Sequence, residues 1–187
     1  MTPPAINMNS TTPTAAETNK PGLARIRVGL GDVTKNNLNQ LMRLNKVLFP
    51  IDYKPSFYNE ILEVGEFAKI IYFNDICVGA VCCRKTNVEG SRTLQDLYIA
   101  TLGILAPYRQ YGLGSKLLKH VLENAELPPS SGPKIARVYL HVQTNNEQAL
   151  KFYKKHGFEK KERCENYYPQ FDESDAYLLE KVLIREN

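Results

Sequence analysis

No stretch of this chain approaches the roughly 20 consecutive apolar residues needed to cross a bilayer. No run of five lysines or arginines occurs, and the cysteines show no C-x-x-C spacing. Each absence removes a class of function. Without the apolar run the chain is expected to be soluble, with no membrane binding. Without a basic block, the net charge of +4 and pI near 8.8 point to a local anion site and not to a nucleic-acid surface. Cys77, Cys82, Cys83 and Cys164 have no His pair nearby, so no metal site is expected. No secretory leader is read that would place them in an oxidising compartment, and reduced packing thiols are the expectation. G-x-G-x-x-G is missing, as is a Lys followed by Ser or Thr closing a G-x-x-x-x-G. The dinucleotide fingerprint and the nucleoside-triphosphate loop are thereby excluded.

What is present fits one domain. The chain has 187 residues, 43% hydrophobic and 24% charged, enough to bury a core without staples. Met1 to Gly22 is rich in Thr, Pro, Ala and Asn and reads as a disordered tail ahead of a single domain over 23–187. Strands are expected near Arg25 to Leu30, Phe67 to Phe73, Cys77 to Arg84, Leu94 to Leu105, Ile135 to Val142, Phe158 to Tyr167 and Ala176 to Leu183. Helices are expected from Thr34, as N-cap, to Leu48, around Phe57 to Leu62, after Gly112, and from Asn146 to His156 with Gly157 as the stop. Hairpins first and a helix-crossed parallel pair later predict an α/β fold. Its sheet should be mixed and mostly antiparallel, with helices on both faces. Ligands bind such sheets where neighbouring strands part at their carboxyl ends.

The run Arg109-Gln110-Tyr111-Gly112-Leu113-Gly114 follows the Leu94 strand and opens a helix. Glycines let the backbone curl with positive φ, and the unpaired N–H groups of a first helical turn are anion donors, so a diphosphate-bearing cofactor fits there. An unadorned helix-start turn is the competing reading. On the Ile135 strand, alternation sends Val138, Leu140 and Val142 to one face and Tyr139, His141 and Gln143 to the other. His141 therefore lines a cleft beside the cofactor end, as a general base or as a hydrogen-bonded structural histidine. Tyr98 on the neighbouring strand offers a phenol to the same cleft. With Phe152 in the core, Tyr153 is free to present its hydroxyl.

R-x-x-G-x-G, with Asn146 and Ala149 ahead of Phe152-Tyr153 and Gly157-Phe158, resembles the GNAT superfamily of N-acetyltransferases. Further segments, Phe49 to Tyr53, Phe73 to Asp75, Gly79 to Arg84, Leu97 to Ile99, Leu105 to Arg109, Tyr139 to Gln143 and Asn166 to Tyr168, resemble the separation-anxiety-type N-terminal acetyltransferases, which supply the catalytic subunit of the NatE complex. The likeness spans Arg25 to Leu183. It implies the GNAT fold and transfer of acetyl from acetyl-CoA to the α-amine of Met-starting protein N-termini. It implies that His141 is the base, acting through an ordered water that Tyr98 helps hold. Leu102, Gly103, Ile104, Arg109, Gln110, Tyr111, Gly112, Leu113, Gly114 and Ser115 would cradle the pantetheine and diphosphate, and Asn146 and Tyr153 would complete the acetyl-CoA site. Phe49, Pro50, Ile51 and Tyr53 would form one wall of a peptide groove and Tyr167 and Tyr168 the other, with the backbone near Ala100 binding the peptide main chain.

The resemblance also implies protein N-terminal peptides as partners, a scaffold formed by the NatA auxiliary and catalytic subunits near the ribosome, and a cytoplasmic location with a nuclear pool allowed. Physical chemistry agrees with the substrate, because an α-amine of pKa about 7.7 to 8.0 gives up its proton far more readily than a lysine at about 10.4. A lysine or small-amine acetyltransferase, and a mainly non-catalytic subunit, are the alternatives. Pro169-Gln170-Phe171, where family members often carry basic residues, and Asp52 in the groove segment depart from the pattern.

Overall fold

The computed structural model describes residues 26–127, 129 and 132–184. The expected tail lies outside the described residues. The chain runs β1 (Val28–Asp32), α1 (Leu38–Leu48), α2 (Pro55–Glu63), β2 (Ala68–Phe73), β3 (Ile76–Asn87), β4 (Leu94–Ile104), α3 (Leu113–Glu126), β5 (Lys134–Gln143), α4 (Glu147–Lys155), β6 (Glu159–Cys164) and β7 (Ala176–Val182). The seven strands form one sheet in the order β1-β2-β3-β4-β5-β7-β6. Every pairing is antiparallel except β4 with β5, which α3 joins as a parallel crossover. This is the mixed, mostly antiparallel sheet that the sequence predicts.

Local chemistry explains the element ends. Asn74 and Asp75, at φ 47° and 68°, turn β2 into β3 as a tight hairpin needs. Asn74 also ties down the start of the sheet, its N–H donating to Arg27 O and its Oδ1 accepting from Arg27 N–H, both at 2.8 Å. Pro55 opens α2 at a position where its missing N–H costs nothing. Thr34 is not the cap of α1. The N-cap is Asn37, whose side chain instead reaches backward, accepting from Thr34 N–H and donating to Asp32 O. A short-range turn therefore outcompetes the longer helix, as Asn and Thr side chains commonly arrange.

Both faces of the sheet are covered. Leu113, Leu117, Leu118 and Val121 of α3 pack on Ile71, Val81, Cys83, Leu97 and Val138, while Leu41 and Leu44 of α1 and Phe57 and Ile61 of α2 pack on Ile70, Ala80 and Cys82. Cys82 and Cys83 are fully buried on opposite faces, as packing thiols should be, and burial pushes the Cys82 thiol up to about 11. Gly79 pairs with Ile71 on one side and Ile104 on the other. A Cβ there would stand 2.3 Å from Ile104 Cδ1 and 2.6 Å from the Gly103 carbonyl oxygen. The side chain can rotate away, but the carbonyl cannot. Gly79→Ala is thus expected to lose about 1 to 3 kcal/mol of stability, read from the urea midpoint; a variant as stable as the parent would contradict the close approach.

Candidate active site

Pairing of β4 with β5 stops at Tyr98 opposite Tyr139, although β4 runs on to Ile104 and β5 to Gln143. Beyond that point β4 stays paired with β3 and β5 with β7, so the two strands part and open a wedge. The open edge of β4 from Ile99 to Ile104 offers main-chain N–H and C=O groups to a ligand. Within it, Cys82 faces Thr101 and the next residue, Cys83, faces Ile99, which leaves Ala100 as the extra residue of a β-bulge. The bulge switches the alternation: Leu97 and Ile99 precede it on the α3 face and Leu102 and Ile104 follow it there, while Ala100 packs on the α1 and α2 side. Leu102 and Ile104 therefore direct side chains into the core and leave their backbone to the wedge.

Tyr98 and His141 meet in this wedge, with ring centroids 5.8 Å apart. His141 lies opposite the core-facing Val138, Leu140 and Val142, as alternation requires. Its Nδ1 is buried without a hydrogen-bond partner among the described residues. Burial lowers its pKa from the ordinary histidine value, so the imidazole is neutral near pH 7 and able to accept a proton. Tyr98 packs on Tyr139 at 5.0 Å, and burial raises its phenol pKa far above neutrality, followed by its bond to Tyr167. It is a proton donor or water ligand and not a phenolate. Tyr167 is the member that sequence reasoning places only in the groove wall. Its ring stacks on His141 at 4.0 Å with a 16° interplanar angle, and its hydroxyl is 3.2 Å from that of Tyr98.

Of the two segments expected as groove walls, one lies against β4 and the other against His141. Phe49 and Tyr53 meet edge to face at 6.4 Å, and Tyr53 stacks on Phe57 at 4.6 Å, anchoring the segment to α2. Pro50 and Asp52 are exposed and Ile51 half-buried between them. Gly103 permits this segment to lie against β4, since a Cβ there would be 2.9 Å from the Phe49 ring and 3.0 Å from Leu48 Cδ1. Tyr168 meets Tyr167 edge to face at 4.8 Å. Burial raises the Tyr53 phenol pKa, and Tyr168 adds to it. Burial pushes the Tyr168 phenol up to about 12.

At the far end of β4 the turn is longer than the sequence indicates. A 3-10 turn over Ala106–Tyr108 precedes the glycines. Arg109 braces the turn through Nε–H to the Ile104 carbonyl at 3.1 Å, and Gln110 and Gly112 take φ of 69° and 75°. No side chain among the described residues caps α3, which leaves the first-turn N–H groups of Leu113, Gly114 and Ser115 able to serve an anion. Tyr111 is exposed and turns its ring onto Phe73 at 5.3 Å, leaving its main chain to the turn. Asn146 spends its side-chain oxygen as the N-cap of α4, accepting from Ala149 N–H at 3.1 Å.

The expected burial of Phe152 and Tyr153 is reversed. Tyr153 is 6% exposed and sits in the core, with burial raising its phenol pKa, while Phe152 is half-buried and would stand 3.7 Å from a Cβ on Gly114. Phe152 thus forms the floor beside the glycine turn. Helical position cannot separate two adjacent aromatics at the rim of the buried stripe, which is why the pattern misorders them. Among the described residues no group of three or more His, Cys, Asp or Glu side chains could hold a metal ion.

Residues 36–158 match the acetyltransferase (GNAT) family. The chain is 52% identical to N-alpha-acetyltransferase 50 of Danio rerio over 84% of its own length and 89% of that protein. It is 46% identical to the probable N-acetyltransferase san of Drosophila melanogaster, over 87% and 85% of the two chains. Arabidopsis thaliana Naa50, solved in complex with the bisubstrate analogue CoA-Ac-MVNAL, superimposes with a TM-score of 0.74 at 47% identity, covering 83% of this chain and 98% of that one.

Proposed function

Because the chain belongs to the acetyltransferase (GNAT) family, we propose that it transfers acetyl from acetyl-CoA to the α-amine of protein N-termini that begin with Met. The observation that carries this reading is the wedge between β4 and β5. It holds a neutral His141 beside a protonated Tyr98, and β4 leads straight to an uncapped helix start suited to a diphosphate. The solved relative supports the substrate class, since the peptide part of its analogue begins with Met.

His141 takes the proton from the amine, through a water that Tyr98 helps hold. The nitrogen lone pair then attacks the thioester carbonyl directly and the C–N bond forms; as the C–S bond breaks, the surplus proton on that nitrogen passes to sulfur, so the amide is left neutral and CoA leaves as the thiol. An α-amine of pKa about 7.7 to 8.0 needs only one such base. No acyl-cysteine is required, in keeping with buried Cys82 and Cys83. Phe49, Pro50, Ile51 and Tyr53 face Tyr167 and Tyr168 across the path of the peptide, and the bulged backbone at Ala100 receives its main chain. By family resemblance, the same reading places the reaction in the cytoplasm, with a nuclear pool allowed, within a NatE assembly near the ribosome.

A peptide beginning Met-Leu is expected to be acetylated well. The same peptide with a blocked terminus and an added internal Lys is expected to react poorly, because the groove presents a chain end to His141. Equal rates on the two, measured by mass spectrometry of the products, would favour a lysine acetyltransferase instead.

A further inference from the structure

A catalytic imidazole is usually held in plane by a polar partner on its second nitrogen. Among the described residues His141 has none on its buried Nδ1. What lies against the ring is Tyr167, stacked at 4.0 Å and 16°. The hydroxyl of the same residue is 3.2 Å from that of Tyr98, so one side chain touches both members of the pair.

Tyr167 is itself firmly placed. Asn166, at φ 51°, turns the chain ahead of it and donates its N–H to Asp175 Oδ1 at 2.9 Å. Asp175 is gripped by Arg163 through Nε–H and Nη2–H at 2.9 and 2.6 Å. On the other side Tyr168 N–H donates to Ser174 O at 2.7 Å, and the Tyr168 ring meets the Tyr167 ring edge to face. A residue needed only as a groove wall has no reason to be aimed at the acid–base pair from a turn braced at both ends.

We propose that Tyr167 is a positioning residue for proton transfer, its ring fixing the plane of the His141 imidazole and its hydroxyl fixing the Tyr98 hydroxyl, in addition to its place in the groove wall. The proposal rests on the acetyl-transfer reading above for its kinetic test. The ring face also favours the imidazolium that forms when His141 takes the proton. Stacking therefore does here what a hydrogen-bonded carboxylate does elsewhere.

The test is a mutant cycle with both substrates saturating. Tyr167→Leu is expected to lower kcat by about 10²-fold, the cost of a misplaced catalytic group, with CoA affinity unchanged. Tyr167→Phe keeps the stack and restores most of that loss. What it fails to restore is expected to vanish in a Tyr98→Phe background, where the hydroxyl it held is gone. A Tyr167→Leu variant that raises peptide KM and leaves kcat intact, or a Tyr167→Phe effect that simply adds to Tyr98→Phe, would reduce Tyr167 to groove wall. A second readout needs no turnover: the His141 ring protons of the substrate-free protein carry a ring-current shift that Tyr167→Leu removes and Tyr167→Phe keeps. An unmoved His141 signal in Tyr167→Leu overturns the proposal. If the wild type acetylates no Met-initiated peptide while Tyr167→Leu still moves the His141 signal, the proposed function falls and only the stacking of Tyr167 on His141 stands.

Discussion

His141→Ala is expected to lower turnover by about 10²- to 10⁴-fold, the usual contribution of a general base, while CoA binds as before. The two effects separate because His141 stands where β4 and β5 part, whereas the first-turn N–H groups of α3 lie past the end of β4, beyond the 3-10 turn. Tyr98→Phe should cost turnover in the same direction. Burial holds the His141 pKa below its ordinary value, so the protonated, inactive form accumulates only below the usual histidine range near pH 6.5. The acid limb of kcat, with both substrates saturating, should therefore fall below that range and the profile should be flat above it. Steady-state rates across pH on folded variants check this. Unchanged turnover in His141→Ala would make the residue structural.

How much of this could be read in advance depends on how local each feature is. The glycine turn, the parallel crossover and the alternation that brings His141 to the open face are short-range patterns, and all are found. The register of the crossover then sets Tyr98 beside Tyr139. Features that depend on distant partners were not legible. Tyr167 reaches His141 because β6 and β7 close a loop pinned by Arg163 and Asp175, and no periodicity encodes that closure. The bulge at Ala100 is similar: it appears only when β3 and β4 are set side by side, yet it decides which residues of β4 face the wedge. Thr34 gives way to Asn37 through a local side-chain turn, whereas the Phe152-Tyr153 order differs because two adjacent aromatics compete for one place and tertiary packing chooses.

Gly112→Asp is expected to weaken CoA binding on the order of 10²- to 10³-fold, the scale set by about 4 kcal/mol between unit charges 4 Å apart at an effective dielectric of 20. Crowding is not the cause, because a Cβ at Gly112 meets nothing within 4 Å. Two other effects compete. Gly112 has φ 75°, which strains most side chains, but Asp and Asn tolerate that region better than the rest. Gly112 is also the N-cap of α3, with no side-chain cap in place, and a carboxylate there would accept from the first-turn N–H groups and favour the helix. The variant should accordingly stay folded with a small loss of thermal stability, since the strain of a side chain at positive φ outweighs the few tenths of a kcal/mol that a capping carboxylate adds over glycine, while losing CoA, because the same N–H groups serve either the carboxylate or the diphosphate. Gly112→Asn supplies the control: it shares the shape and the backbone preference without the charge, so calorimetry should find its CoA affinity between the two. Equal affinity for wild type and Gly112→Asp would show that the diphosphate lies away from this helix start. A Gly112→Asn variant as weak as Gly112→Asp would assign the loss to competition for the N–H groups and not to charge.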